Sequence, residues 1–335
     1  MSSQSDEKIA NKNWQEICQK FPEANFLQSP SYQKMSEKLG FKTIVEDFGG
    51  KGHALMIVRD AKRGRYLEIP CGPLINWKDK RLVKKVIERI REVAIEEKCV
   101  FVRIRPQLRA TSENLALMKD LGLKQSPMHL AAEHTVIMDL TKSEDEILAG
   151  MRRQTRYEVR RAEKLGIKVT SDNTEEIFKD FHKTQAETAR RQNFIPPDMP
   201  TLEAEREAFS DNIKIYTAKA EDGAVIAYGL IIKDGREGDY YEAASTELNR
   251  KMPGAYALLW QAMKDLKKEG YQRFNLWGIA PKNQPNHRYA GVTTFKTGFG
   301  GEVVEFIPAH DLVISKLGYL KDLIVEKVRK KKRHL

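Results

Sequence analysis

The stretch "GVTTFKTGFGG", residues 291 to 301, places one lysine, Lys296, between Phe295 and Phe299 in a segment with four glycines. A cation fixed in a dry setting lowers the energy of negative charge developing on a carbonyl oxygen, the central need of acyl transfer. Aromatic neighbours that exclude water strengthen its field. Glycines at 298, 300 and 301 let the backbone come close to whatever it meets, and the substrate is the expected neighbour. The plain alternative is a hairpin turn carrying a solvated lysine.

A second pattern lies in "MRRQTRYEVRRAEKLGIKV", where Arg152, Arg156, Arg160 and Lys164 recur every four residues. On one helix, predicted over roughly 143 to 165 and opened by the capping-box pair Ser143 and Glu146, they form a basic stripe beside an inward face of Leu148, Met151, Thr155, Val159 and Ala162. Such a stripe is either a solvated face or a binding surface for phosphates. A third pattern, "NRKMPGAYALLWQAM", puts Gly254 at a loop-to-helix junction, where helix-start amides can receive an anion. The acyl-CoA signature, Arg or Gln, two residues, Gly, one residue, then Gly or Ala, is absent. Arg250 stands four residues before Gly254, and "RYAGVT" ends in Thr.

Positioning these groups takes a large frame. The 335 residues suffice for two domains, and 41% hydrophobic with 31% charged residues describes a folded protein. Three scattered cysteines match no metal-ligand spacing, and no cofactor is expected. The N-terminus lacks a secretory signal and no apolar run spans a bilayer, so the expected location is cytoplasmic. A net charge of +11 and a pI near 9.3 favour polyanionic partners. Strand-like and helix-like segments alternate twice. The first half runs through "HALMIVRDA", "RYLEIP", a helix over 78 to 97, "CVFVRIRP", "SENLALMKDLG" and "HTVIMDL". The second runs through a helix over 174 to 191, the rigid loop "FIPPDMP", the strands "IKIYTAKA", "AVIAYGLIIKD" and "EGDYYEAAS", a helix after Gly254, and "YQRFNLWGI". The fold class is α/β (α+β), with residues 1–139 plus 307–335 as one domain and 140–306 as the other.

The segments "TRYEVRRAEKLGIKV", "NLWGIAP…AGVTTFKTGFGG" and "FLQSPSYQKMSEKLG" together resemble the Fem transferases, across nearly the whole chain. The resemblance implies two tandem acetyltransferase-like (GNAT-like) domains, each a mixed sheet flanked by helices, with aminoacyl-tRNA as donor. The acceptor it implies is the stem-peptide amine of a peptidoglycan precursor, lipid-linked or UDP-linked. It maps Phe295 and Lys296 onto the family's catalytic pair. The family's phosphate-binding lysine falls near Lys34 to Lys38, with Lys38 retained as the candidate, while the arginine's place falls in "FIPPDMP", which has none. The basic helix or Arg105 stands in. Tyr240, Tyr241, Trp277, Gly254, Gly298 and Gly300 complete the candidate substrate-binding set. No heptad-bearing insertion is present, so the chain groups with the family's compact members. The tail "KVRKKKRHL" holds six Lys or Arg in nine residues, read as a solvated end or as a contact for an anionic leaflet or tRNA. Two competing readings remain. One is an acyl-CoA-dependent N-acyltransferase on a small-molecule amine; the other, a non-catalytic RNA-binding protein, explains the charge but not the Phe295–Lys296 segment.

Overall fold

The computed structural model describes residues 13–61, 64–192, 194–282, 284 and 289–333, with side chains of the last helix to Glu326. The chain divides into two compact units, Met1–Glu133 with Glu305–Leu335, and His134–Val304.

In the first unit β1 (Thr43–Asp47), β2 (Gly52–Ala61) and β3 (Gly64–Pro70) form an antiparallel meander, and the short β4 (Leu74–Ile75) pairs with β2. The helix Lys80–Glu96 then crosses to β5 (Phe101–Arg105), which lies parallel to β3. Asp79 caps that helix by accepting from the amides of Arg81 and Leu82. Val83, Val86, Ile87, Ile90, Val93 and Ala94, spaced three and four apart, bury one face in the core. β6 (Lys124–Gln125) lies at the far edge.

The second unit repeats the scheme. β7 (His134–Asp139) opens it, and β8 (Lys168–Asp172), β9 (Ile213–Lys219), β10 (Val225–Asp234) and β11 (Glu237–Ser245) pair antiparallel in turn. The helix Gly254–Lys268 crosses to β12 (Arg273–Asn275), parallel to β11. β7 pairs with β12, and β13 (Glu302–Glu305) closes the order β13-β7-β12-β11-β10-β9-β8. β14 (His310–Val313) then joins the first sheet between β5 and β6. Both units thus carry an antiparallel meander, a crossover helix and one parallel pair.

Three sequence expectations change. Residues 134–139, expected to close the first half, belong to the second sheet, because Val136 and Met138 are buried in the core that contains Phe274 and Leu276. The helix expected over 143 to 165 breaks in two, Glu144–Gly150 and Arg153–Lys164, with Met151 and Arg152 in extended conformation between them. The proline loop ends early: Asp198 caps a helix, Met199–Phe209, with Pro200 in its first turn. Among the described residues no helix is long and apolar enough to cross a membrane.

Candidate active site

Lys296 does not sit in a loop. It lies in the last turn of the helix Ala290–Thr297 and is only 7% exposed. Its Nζ donates to the Gly278 carbonyl at 2.9 Å and stands 5.7 Å from the centre of the Tyr240 ring, within cation–π reach. Phe295 and Phe299 meet edge-on at 5.4 Å, and Tyr256 packs against both. Burial strips water from the ammonium and pulls its pKa down from 10.5 to about 7. The solvated-turn reading therefore fails, and burial, by lowering the pKa toward neutrality, also weakens the picture of a permanent cation.

The sheet opens beside it. β11 and β12 pair only from Glu237 to Asp239 and from Arg273 to Asn275, although β11 runs on to Ser245. Beyond the last pair the two chains part, with Tyr240 and Tyr241 on one and Trp277 and Gly278 on the other. Trp277 has φ of 60°, a left-handed backbone that costs a bulky residue about 1–3 kcal/mol. Asn275, 2% exposed, holds it there: its Oδ1 accepts from the Trp277 amide at 3.0 Å and from the Thr135 hydroxyl. The Trp277 ring meets Tyr241 edge-on at 5.4 Å. On the other side Thr293 accepts from the Ala280 amide at 2.7 Å, tying the lysine helix to the "NLWGIA" segment.

The glycines approach protein here. A Cβ on Gly298 would stand 2.4 Å from Thr155 Oγ1. One on Gly300, whose φ is +83°, would stand 2.0 Å from the Gly150 carbonyl oxygen. The Gly298 carbonyl accepts from the Arg152 amide at 2.8 Å. Gly298 and Gly300, expected against substrate, instead let the lysine helix dock on the break between the two basic-segment helices. The stripe is divided accordingly. Arg152 donates to the Thr294 carbonyl at 3.2 Å, and Arg156 donates to the carbonyls of Ala149 and Met151, closing the end of the first helix. Arg160 and Lys164 are exposed. Gly254 also answers packing: its Cβ would meet Ile226 at 2.4 Å. The first two amides of its helix are engaged, Gly254 N on the Met252 carbonyl and Ala255 N on Asn249 Oδ1.

This arrangement can be compared with known proteins. A model of the FemAB family matches residues 9–221 and again 198–327. The chain belongs to the FemAB family. Aminoacyltransferase FemA of Staphylococcus aureus (strain MRSA252) is 18% identical over 411 aligned residues, covering 96% of this chain and 98% of the relative. The crystal structure of FemX superposes with a TM-score of 0.83 at 17% identity, covering 94% of this chain and 98% of that one. A tandem GNAT protein from the clavulanic acid biosynthesis pathway gives 0.50 at 12% identity, covering 94% and 97%. The fold is thus a tandem of GNAT-like units.

Within this FemAB chain the second unit brings together Lys296, Phe295, Tyr240, Tyr241, Trp277, Gly298, Gly300, Arg152 and Arg156. Lys38 and Arg105 belong to the other unit. Lys38 is exposed at the end of the helix Pro30–Lys38. Arg105 is 1% exposed, donating to Gln107 Oε1 at 2.7 Å and Cys71 Sγ at 2.9 Å, its face toward Phe306. A guanidinium so enclosed is a structural group, which corrects its expected stand-in role on phosphate. Sequence reasoning also passed over an acid pair. Glu242 of β11 accepts from Gln185 Nε2, and burial pushes its carboxyl up to about 7. Glu205, from the helix Met199–Phe209, is held well above the carboxylate range by burial and by Glu242. The signal was a lone acid inside "YYEAAS". A bulge between Leu230 and Ile231 sends it to the opposite face of the sheet from Tyr240.

Proposed function

We propose that the chain is an aminoacyltransferase that moves an amino acid (Gly, Ala or Ser) from aminoacyl-tRNA to the stem-peptide amine of a peptidoglycan precursor, building an interpeptide bridge. The setting is cytoplasmic, at the inner face of the membrane when the acceptor is lipid-linked. Family membership supports the reaction class, and the buried, near-neutral Lys296 is the single observation that carries the chemistry. The acceptor nitrogen attacks the ester carbonyl, the C–N bond forms, and the bond to the ribose oxygen breaks. A proton leaves the nitrogen and one is gained by the ribose oxygen, so the reaction is proton-neutral overall. A lysine with a pKa of about 7 serves both ends. As ammonium it hydrogen-bonds the tetrahedral oxyanion; as amine it takes the nitrogen's proton. An aminoacyl ester is already activated, so no enzyme nucleophile is required.

The test is incubation with a pool of charged tRNA and either lipid-linked or UDP-linked precursor, followed by mass spectrometry of the muropeptide. A product heavier by one or more amino-acid residues is expected. An unmodified precursor with both acceptors, together with thermal stabilisation by acetyl-CoA alone, would move the assignment to an acyl-CoA-dependent N-acyltransferase. Against that alternative stands the helix start at Gly254, whose leading amides are already used within the protein.

A further inference from the structure

The C-terminal helix, Lys316–Arg333, is reversed with respect to an ordinary surface helix. Among its described side chains the buried positions, Tyr319, Asp322 and Glu326, are spaced three and four apart. Glu326 takes two hydrogen bonds from Arg103, at 2.9 Å each, and the Tyr319 hydroxyl donates to Asp311. The other side carries Leu317, Leu320 and Ile324, which are 80%, 55% and 58% exposed. A single exposed leucine needs no explanation, but a row of them opposite a polar buried face does. Asp322 and Glu326 are the helix's only acids, and both face inward. Lys316 and Lys321 are exposed, and six of the nine residues from 327 to 335 are Lys or Arg.

We propose that this helix docks the protein on an anionic lipid bilayer. The Leu317–Leu320–Ile324 stripe sinks to the boundary between headgroups and acyl chains, and Lys316 and Lys321 beside it meet lipid phosphate. An apolar row edged by lysines and free of outward acids is the composition such interfacial helices need. A second copy of the chain would bring the same positive charge against this face, and RNA offers the leucines no apolar surface. The inference rests on the aminoacyl-transfer reading only for its purpose, since docking would place the enzyme beside a lipid-linked acceptor.

The experiment sediments the full-length chain with vesicles of phosphatidylcholine alone, or mixed with phosphatidylglycerol, at low salt. Binding to the mixed vesicles is expected, and the double variant Leu320→Gln/Ile324→Gln should reduce the partition coefficient roughly tenfold or more. Both residues are exposed, so the variant keeps the wild-type melting temperature and its transfer to a soluble UDP-linked acceptor. Wild-type protein remaining in the supernatant at low salt would overturn the proposal. So would a double variant that pellets as fully as wild type, or one whose only change is loss of self-association or of tRNA binding. If vesicles bind as described while no transfer is seen with any acceptor, docking stands and the reaction reading falls.

Discussion

Lys296 is a residue whose sequence setting and buried state say different things about its charge. The folded protein depresses its pKa from 10.5 to about 7. The unfolded chain therefore binds this proton below pH 10.5 and the folded chain only below about 7. Stability is lost progressively as pH falls between those values and is flat beneath them. Lys296→Met keeps most of the side-chain length and removes the charge. Its melting temperature, relative to wild type, should be raised at pH 7 and below, with the gain shrinking toward pH 10.5. Turnover should fall on the order of a hundred- to a thousandfold, the typical cost of one preorganised oxyanion donor. Any limb near pH 7 in the wild-type rate profile should vanish. Melts at pH 7 and 10.5 beside single-turnover rates decide the matter. A variant with lower stability at pH 7 and unchanged turnover would make Lys296 a packing residue.

At the scale of elements, the stripe at four-residue spacing was legible as a helix with Thr155, Val159 and Ala162 inward, and those three are buried. Which arginines remain available was not legible. That depends on the break at Met151–Arg152, and the break depends on residues about 150 positions away. Gly298 and Gly300 must meet Arg152, Thr155 and Gly150, and no local propensity encodes such a contact. The lysine helix was missed for a related reason: eight residues flanked by glycines resemble a turn until Thr293 and the Phe295–Phe299–Tyr256 cluster are seen to pack it. The division of the stripe predicts opposite outcomes for two neighbours. Arg156→Ala removes the donor that closes the helix Glu144–Gly150, so it should lower the melting temperature and, by loosening the docking of the lysine helix, turnover as well. Arg160→Glu changes an exposed charge, so it should leave the melt alone while weakening tRNA or precursor binding and flattening its dependence on salt. If Arg160→Glu binds as wild type at low salt, that part of the stripe is a solvated face.

For the molecule as a whole, the repeated alternation of strands and helices disclosed two α/β units. It did not disclose that β7 opens the second sheet, or that β14 inserts between β5 and β6. Those pairings join segments far apart in the chain, and apolar alternation looks the same whichever neighbour a strand finds. The return of the C-terminus is fixed by burial of charge. Arg103 on β5, 4% exposed, is bidentate to Asp311 of β14 at 2.8 and 2.9 Å and to Glu326 of the last helix. Removing one partner from such a buried group typically costs about 3–5 kcal/mol, because the remaining charges have no water to replace it. Two truncations separate this clamp from the basic end of the chain. Deleting residues 329–335 leaves Glu326 and Tyr319 in place, so the melting temperature and turnover on a soluble acceptor should stay near wild type. Deleting residues 316–335 removes both and strands Arg103 with Asp311 alone. It should cost stability on that scale, read as an earlier urea midpoint, or prevent folding of the first unit. Glu326→Gln keeps the helix and weakens only the ion pair, so it should fall between the two. Equal urea midpoints for all three chains would mean that the helix rests on the first unit without securing it, and that the Arg103 cluster is satisfied by Asp311 alone.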